Sequence, residues 1–274
     1  MAWPNEFNED LSQFLAQKKS ASPALTDAIA YATRSPGKRL RPLFAQESGA
    51  LFGLNPTATS LFSIAIELVH LFSLIHDDLP ALDNDDFRRG LPTLHKEFNE
   101  GIALLAGDEL LNFAHETFLM ISEHVSPSAF LEAFRYFTDA IGSNGMIGGQ
   151  TLEMELTQNN DPLLLETLLK IQSLKTGALF RASIVIPALL SGIQKEDSKI
   201  RELTEFAEAF GFAFQIADDL EDEAQDEKTS RKNILSHLGR ESAIQLALNR
   251  LSGASFSKHF SATQRLTALL QSKA

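Results

Sequence analysis

The sequence predicts an all-α fold, organised as a bundle of helices. Leucine, a strong helix former, occurs 42 times, whereas valine, which favours pleated sheet surfaces, occurs only 3 times. Glycine (15) and proline (10) are both scarce in a chain of 274 residues, and sheet proteins need more turns than this allows. Helix breakers separate eight or more apolar or amphipathic stretches with short connections, which is typical of a helical bundle.

The breakers locate each predicted helix in turn. In the first half, the predicted stretches are residues 5–20, 22–34, about 41–53, 57–79 and 93–122, the last with an expected break at Gly107. Pro80, Gly90 and Pro92 make residues 80–92 irregular. In the second half, the predicted stretches are residues 127–158, 162–191, 197–224 and 239–271. Since no repeat or low-complexity linker interrupts them, residues 1–274 are expected to form a single domain.

Composition excludes several classes of function. A net charge of −12 argues against binding to nucleic acid or to anionic lipid surfaces. The absence of cysteine excludes disulfides, thiol catalysis and cysteine-ligated metals. The first ten residues lack the basic and apolar regions of a signal peptide, and no uncharged apolar run reaches the roughly 18 residues of a membrane span. We therefore expect a cytoplasmic protein that binds no nucleic acid and has no membrane span.

Two short segments carry the whole excess of negative charge. The first acidic segment, residues 77–86, holds five acids and no base, and the second, residues 218–227, holds seven acids and no base. Together they equal the net charge of the chain. Acidic runs are ordinarily solvated surface. Here each run ends a long apolar stretch, and this context favours a functional site.

Polar residues that lead into each segment share one face of a helix. The first face consists of Ser63, Glu67, His70 and Asp77. The second face consists of Gly211, Gln215, Asp218 and Asp222. A polar stripe on an apolar helix either faces water or costs free energy through unpaired burial. Ligand sets made only of oxygen suit Mg²⁺ or Mn²⁺, and Mg²⁺ is often held jointly with phosphates, so the pattern indicates a metal-borne phosphate or diphosphate.

The spacing within the first acidic segment predicts a break in the helix. Asp77 and Asp83 are six residues apart, which a regular helix would place about 240° out of phase. Pro80, between them, removes a backbone donor and clashes with the preceding turn. We therefore expect the helix to break and to bring Asp83 back toward Asp77.

Three basic groups stand beside chain breakers, and arginine and lysine are the side chains that bind phosphate. They are the run from Gly37 through Lys38, Arg39 and Arg41 to Pro42, the pair Arg88-Arg89, and Lys175-Thr176-Gly177. Each group alone would be ordinary surface charge, but beside two acidic segments they indicate an anion site. His70 and His76, taken singly, are more typical of core histidines.

These motifs resemble those of the trans-isoprenyl diphosphate synthases, or polyprenyl synthetases, and most closely the bacterial-type short-chain farnesyl diphosphate synthases. Residues 77–83 with Arg88-Arg89 are similar to the family's first aspartate-rich motif, DDxxxxD. Residues 218–222 are similar to the second, DDxxD. Residues 37–42, 145–150 and 175–177 resemble three further family blocks, and all five occur in family order.

The resemblance implies an orthogonal bundle of about ten core helices around a deep central cavity, usually as a homodimer. It implies an enzyme that joins isopentenyl diphosphate to an allylic diphosphate, dimethylallyl or geranyl, and releases diphosphate without a protein nucleophile. The implied cofactor is Mg²⁺, about two or three ions, with Mn²⁺ as an alternative.

The resemblance also implies roles for individual residues. The implied metal ligands are Asp77, Asp78, Asp83, Asp218, Asp219 and Asp222. The implied contacts to the allylic diphosphate are Arg88, Lys175, Thr176 and Gln215. The implied contacts to isopentenyl diphosphate are Gly37, Lys38, Arg41, His70 and Arg89. The aspartates Asp77, Asp78, Asp83 and Asp218, together with Lys175, are the implied catalytic residues.

The product length depends on the residues just before the first acidic segment. Phe72 lies five residues before Asp77, about 7.5 Å along a helix, and its ring could form the floor under the growing product, although a plain core role is equally open. In the family, an aromatic residue here with the longer first motif resembles farnesyl synthases, whereas geranylgeranyl synthases often have a smaller residue. We predict a fifteen-carbon product, with Phe72 and Ser73 as chain-length residues and geranyl or geranylgeranyl diphosphate as alternatives.

The chain departs from the family pattern after the second motif. Residues 223–238 contain neither glycine nor proline, where the family has a glycine-rich loop and a closing lysine. Lys228, Arg231 and Lys232 are candidates to replace that lysine, and Glu153 stands where relatives often have aspartate. A non-catalytic subunit therefore remains an alternative. A terpene cyclase is a further alternative, although it would not need the basic residues assigned to isopentenyl diphosphate.

Overall fold

The computed structural model confirms the all-α prediction. It describes residues 3–18, 20–34, 37–159, 164–229 and 233–273, and for residues 222–229 it describes the backbone alone. In these ranges the chain is helical apart from turns, loops and one two-stranded hairpin.

The helices of the first half are α1 (Trp3–Ala16), α2 (Pro23–Arg34), α3 (Leu40–Leu51), α4 (Pro56–Asp77), α5 (Leu94–Glu97) and α6 (Glu100–Met120). Between α4 and α5 lie the strands β1 (Phe87–Arg88) and β2 (Leu91–Pro92). The helices of the second half are α7 (Pro127–Ile141), α8 (Met146–Asn159), α9 (Leu165–Gln172), α10 (Ala178–Leu190), α11 (Ser198–Thr229), α12 (Ile234–Leu238), α13 (Arg240–Gly253) and α14 (Ser261–Lys273).

The chain divides into two compact units. The first consists of Met1–Pro42 with Ser60–Ile121, and the second of Leu43–Thr59 with Ser122–Ala274. Each unit is described by itself below, and the single domain expected for residues 1–274 remains a prediction.

Helices α4 and α6 supply much of the core of the first unit. Phe62 of α4 and Phe118 of α6 meet edge to face with ring centroids 5.9 Å apart. The break expected at Gly107 is wrong, because α6 runs through that residue without interruption. The interruption lies just before the helix, where the Asn99 side chain caps the first turn by accepting a hydrogen bond from the Ile102 N–H at 2.9 Å.

A cluster of phenylalanine rings forms the core of the second unit. The Phe44 ring of α3 lies at its centre, 4.6 to 6.3 Å from four other ring centroids in edge-on arrangements. The four rings belong to Phe180, Phe206, Phe210 and Phe260. Aromatic pairs of this geometry stabilise a core beyond the area they bury.

Glycines explain where the second half departs from the predicted helices. The stretch predicted at 127–158 is two helices, because the chain turns between Gly142 and Gly145, where a Cβ on Gly145 would lie 2.1 Å from the Ala140 carbonyl oxygen. The stretch predicted at 239–271 also forms two helices, and α12 lies where none was expected. The stretch predicted at 162–191 contains a π-helical turn between α9 and α10.

Two helical stretches are long and apolar enough to cross a membrane, judged by length and composition. They are Pro56–Asp77 and Leu165–Leu190, and 78% and 72% of their apolar windows are buried inside the protein. Burial of this extent is typical of the core helices of a globular fold.

Candidate functional site

The first acidic segment folds back on the end of α4, as the spacing predicts. Helix α4 ends at Asp77, and the backbone N–H of Asp83 donates to the Asp77 carbonyl oxygen at 2.9 Å. Asn84, in the left-handed region at φ +53°, donates from its backbone N–H to Leu79 at 3.2 Å. The residue before a proline disfavours helix, so Pro80 ends α4 even earlier than its own position. The break and the return of Asp83 toward Asp77 are therefore confirmed.

The second aspartate of this segment is buried beside an arginine. Asp78 is 4% exposed, and its Oδ1 accepts a hydrogen bond from Arg88 Nε at 2.6 Å. Arg88 also reaches Asp85 Oδ2 at 3.4 Å. Burial raises the pKa of Asp78 to about 6, although the Arg88 charge acts in the opposite direction. One arginine therefore compensates this carboxylate only in part, and a cation would complete the compensation.

A short hairpin, which sequence reasoning missed, presents both arginines that follow the first acidic segment. Strands β1 and β2 pair antiparallel, Arg88 opposite Leu91. Arg89 and Gly90 form the two-residue turn with φ values of +52° and +82°, the left-handed pair that a type I′ turn requires. The turn lacks the Asn-Gly or Asp-Gly sequence that would have signalled it. Thr93 then ties the hairpin to the acidic segment by donating to the Asp85 carbonyl oxygen at 2.7 Å.

Arg39, in the middle of the first basic group, is a structural residue. It is 3% exposed and has a left-handed backbone, φ +46°. Its guanidinium binds Glu67 Oε1 at 2.5 Å, Asn8 Oδ1 at 2.7 Å and the Thr33 carbonyl oxygen at 3.3 Å. The polar stripe on α4 thus includes a carboxylate, Glu67, that is paired in the core. This ion pair connects the basic group to α1, α2 and α4.

The residues predicted to bind isopentenyl diphosphate come together around His70. Burial lowers the pKa of His70 well below its usual value, and nearby positive charges lower it further. Those charges belong to Arg41, Arg89, Arg39 and Arg88. His70 is therefore a neutral side chain among cations at neutral pH.

Glycine is needed at the start of this basic group. A Cβ on Gly37 would lie 2.7 Å from Arg89 Nη1, so the Arg89 guanidinium packs directly against this residue. Lys38, beside it, has an exposed side chain. Gly37, Arg41, His70 and Arg89 are thus brought into one neighbourhood, and Lys38 lies at the surface of the same segment.

The chain-length residues lie one turn before the end of α4. Phe72 is 7% exposed, and its ring meets the His76 ring edge to face at 5.1 Å. Ser73 donates its hydroxyl to the His70 carbonyl oxygen at 2.9 Å. Phe72 therefore has a defined neighbour on its own helix, and Ser73 makes a bond within α4.

The second acidic segment lies on α11, and its buried aspartate has a structural partner. Asp219 Oδ2 accepts the backbone N–H of Ile234, the first residue of α12, at 2.9 Å. Its Oδ1 accepts from Gln215 Nε2 at 3.2 Å. Asp219 thus fixes the start of α12, whereas Asp218 is partly exposed. The Asp222 and Lys228 side chains and all of Arg231 and Lys232 lie outside the described residues.

Lys175 is placed by a π-helical turn, Ser173–Gly177, which sequence reasoning did not foresee. Such turns occur frequently at functional sites because the extra residue redirects side chains. Lys175 Nζ lies 2.6 Å from Glu153 Oε2 of α8, so the glutamate that departs from the family pattern forms an ion pair with it. Thr176 occupies the same turn and is partly exposed.

The glycine block at 145–150 brings α8 against this turn. A Cβ on Gly149 would lie 2.3 Å from the backbone nitrogen of Lys175. A Cβ on Gly148 would lie 1.9 Å from the Ser143 carbonyl oxygen. The glycines therefore act through close backbone packing, and one of them sets the distance between α8 and Lys175.

The carboxylates fit Mg²⁺ as a metal bound jointly with phosphate. Among the described residues, no three histidine, aspartate or glutamate side chains are already grouped as a metal site. Mg²⁺ commonly uses one or two carboxylates, with water and substrate phosphate as further ligands. A buried Asp78 whose charge is only partly compensated, next to a turn that returns Asp83 to Asp77, offers the donors this mode of binding needs.

A model of the family "Polyprenyl synthetase" matches residues 22–255. The farnesyl diphosphate synthase of Geobacillus stearothermophilus is 38% identical over 272 residues, which cover 93% of this chain and 90% of that protein.

Solved structures show the same fold. An FPP/GFPP synthase from Zymomonas mobilis superposes with a TM-score of 0.84 at 35% identity, covering 99% of this chain and 95% of that one. A geranyltransferase from Helicobacter pylori, complexed with magnesium and isoprenyl diphosphate, superposes with a TM-score of 0.77 at 28% identity, covering 99% and 96%.

Proposed function

This chain belongs to the polyprenyl synthetase family, and we propose that it condenses isopentenyl diphosphate with dimethylallyl or geranyl diphosphate to give farnesyl diphosphate. The observation that carries the proposal is the arrangement in the first unit. The folded-back acidic segment, with Asp78 buried against Arg88, adjoins the arginine cluster around His70. Carboxylates for a metal and cations for an anion thus stand side by side, as a metal-diphosphate substrate requires.

The carboxylates would hold Mg²⁺, with Mn²⁺ as an alternative. The proposed ligands are Asp77, Asp78, Asp83, Asp218, Asp219 and Asp222. Bound Mg²⁺ would neutralise the charge that develops on the departing diphosphate. Asp219 accepts two hydrogen bonds from this chain, so its structural role accompanies any metal contact.

The basic side chains bind and orient the allylic diphosphate. The proposed contacts are Arg88, Lys175, Thr176 and Gln215. Their positive and hydrogen-bonding groups stabilise the diphosphate as the bond between its oxygen and the allylic C1 breaks and the oxygen keeps the electron pair. The Glu153 carboxylate holds the Lys175 ammonium in place before substrate binds, since a paired lysine loses less freedom on binding.

The neighbourhood of His70 binds isopentenyl diphosphate. The proposed contacts are Gly37, Lys38, Arg41, His70 and Arg89. The cations fix the diphosphate, and the neutral imidazole adds a hydrogen bond without adding charge. The isopentenyl double bond then attacks the allylic C1, and the proton lost from the new product goes to the released diphosphate. The protein supplies no nucleophile to this sequence.

The buried Phe72 ring supports a fifteen-carbon product. It lies about 7.5 Å before Asp77 along α4, and a growing tail that meets it would stop there. Product analysis of Phe72→Ala tests this: we expect geranylgeranyl diphosphate to replace much of the farnesyl diphosphate. An unchanged product would exclude Phe72 as the floor.

A homodimer is the assembly we propose. Helix α6 exposes apolar side chains along its length, including Leu105 at 56% and Leu119 at 60%, and such a surface fits a partner of the same kind. Light scattering coupled to gel filtration should give a dimer for the wild type and a monomer for Leu105→Asp/Leu119→Asp. The acidic, cysteine-free composition agrees with a cytoplasmic enzyme.

One assay separates this function from its alternatives. The protein is incubated with isopentenyl diphosphate, geranyl diphosphate and Mg²⁺, and the products are identified. Farnesyl diphosphate is the expected product. Cyclic terpenes from the allylic diphosphate alone would indicate a cyclase, and no turnover would favour a non-catalytic subunit.

A matched pair of variants tests the isopentenyl site. Arg41→Ala should raise the KM for isopentenyl diphosphate by about tenfold or more and leave the KM for geranyl diphosphate within about twofold. Arg34, exposed at the end of α2, provides the control, and Arg34→Ala should change neither value. Equal effects of Arg41→Ala on both substrates would contradict the assignment.

A further inference from the structure

The Phe72 ring has a support on its own helix. His76 follows Phe72 by four residues, so the two side chains lie on one face of α4. Their rings meet at 84° with centroids 5.1 Å apart, an edge-to-face contact. The position of one ring therefore constrains the position of the other.

His76 is in turn held by α6. Its Nε2 lies 3.1 Å from the Leu104 carbonyl oxygen, and because a carbonyl only accepts, Nε2 carries the proton. Beneath the ring lies Gly107, where a Cβ would come within 2.2 Å of His76 Nε2 and 2.4 Å of Cδ2. Any larger residue would displace the ring, so α6 carries a glycine in its middle despite the poor helix propensity of glycine.

We infer that His76, held against Gly107, is a positioning residue that sets product length by fixing the Phe72 ring, an inference that rests on the proposed function. Without the His76 ring, Phe72 gains rotamer freedom and a space opens beside it. A product tail longer by one isoprene unit is then accommodated. Neither His76 nor Gly107 touches substrate in this scheme, and their effect is expected in product length rather than in the first condensation.

The test compares the products of four proteins made from isopentenyl and geranyl diphosphates with Mg²⁺. His76→Ala should raise the ratio of geranylgeranyl to farnesyl diphosphate about fivefold. It should leave the kcat/KM of the first condensation within about twofold of the wild type. His76→Ala/Gly107→Ala should return the ratio toward the wild-type value, because the new methyl group occupies the space that the ring left.

Gly101 supplies the matched control on the same helix. Among the described residues, the closest atom to a Cβ at Gly101 is Asn99 Oδ1 at 3.4 Å. His76→Ala/Gly101→Ala should therefore keep the raised ratio of the single variant. If that control restores the ratio as fully as Gly107→Ala does, the local packing argument is overturned.

Two further outcomes decide the inference. A wild-type ratio in His76→Ala, when Phe72→Ala lengthens the product, overturns the inference and leaves the proposed function intact. A wild-type protein that elongates nothing overturns both. His76→Gln provides a second variant should alanine prevent folding: it retains a donor for Leu104 but lacks the ring, and it too should lengthen the product.

Discussion

The first acidic segment and the DDxxD part of the second, residues 218–222, both follow an apolar helical face, yet the first leaves its helix and the second remains within one. In the first, a backbone hydrogen bond from Asp83 to Asp77 closes a turn around Pro80. In the second, α11 continues to Thr229. Carboxylates six residues apart thus need a helix break to meet, whereas Asp218 and Asp222, four residues apart, share a face by helical periodicity alone.

The second aspartate of each pair shows the same contrast. Asp78 is held by a side chain, Arg88, which belongs to the proposed substrate site. Asp219 is held by the Gln215 amide and by the Ile234 backbone, so it serves the fold. Identical Asp-Asp pairs therefore carry different duties, and the predictions below test that difference.

The largest effect is expected from the leading aspartate of each segment. Asp77→Asn and Asp218→Asn should each lower kcat/KM by about 10³-fold, because each removes a charge that would hold the metal against the diphosphate. Steady-state kinetics with saturating Mg²⁺ measures this. The exposed Asp27→Asn on α2 is the control of equal charge and should be fully active. Normal activity in either leading variant would exclude that segment from the metal site.

The next effect separates the two aspartates of the second segment by stability. Asp219→Ala should lower the free energy of unfolding by about 1–3 kcal/mol, because the buried Ile234 N–H loses its acceptor. Asp218→Ala should change it by less than about 0.5 kcal/mol. Urea denaturation followed by circular dichroism provides both values. Equal losses would show that Asp219 has no special structural role.

A smaller effect concerns pH and the first segment. The folded pKa of Asp78, about 6, is raised above its usual 3.8, so the stability it contributes is present at low pH and is lost as the pH rises through 6. In chelator, the melting temperature of Asp78→Asn relative to the wild type should therefore increase between pH 4.5 and 7.5. Adding Mg²⁺ at pH 7.5 should then raise the melting temperature of the wild type more than that of the variant. A pH-independent difference would contradict incomplete compensation of this carboxylate.

The smallest effect is expected at the helix break itself. Pro80→Ala should cost about 0.4–1 kcal/mol of stability through the greater freedom of the unfolded chain. Activity should stay within about twofold, because the backbone bonds from Asp83 and Asn84 still close the turn. A large loss of activity would mean that the proline, rather than these bonds, maintains the turn. Thermal melts and the elongation assay measure the two quantities.

Much of the site could be predicted from the sequence because its signals are local. Helical spacing located the polar faces, and a proline between two aspartates predicted the turn that the structure shows. The Arg39–Glu67 pair could not be found this way, since 28 residues separate its members and each alone resembles ordinary charge. The hairpin lacked the usual turn residues, and a π-helical turn has no simple sequence pattern.

Glycines mark the boundary between the two kinds of information. Gly107 seemed to break a helix, because propensity considers only the local chain, but its role is to leave room for the His76 ring. Gly149 likewise serves the approach of α8 to Lys175. The sequence by itself determined the all-α class, the two acidic segments and the family, since these depend on composition, periodicity and order along the chain. Only the tertiary structure decided which charges are paired and which glycines are needed, because burial and close contact depend on residues distant in sequence.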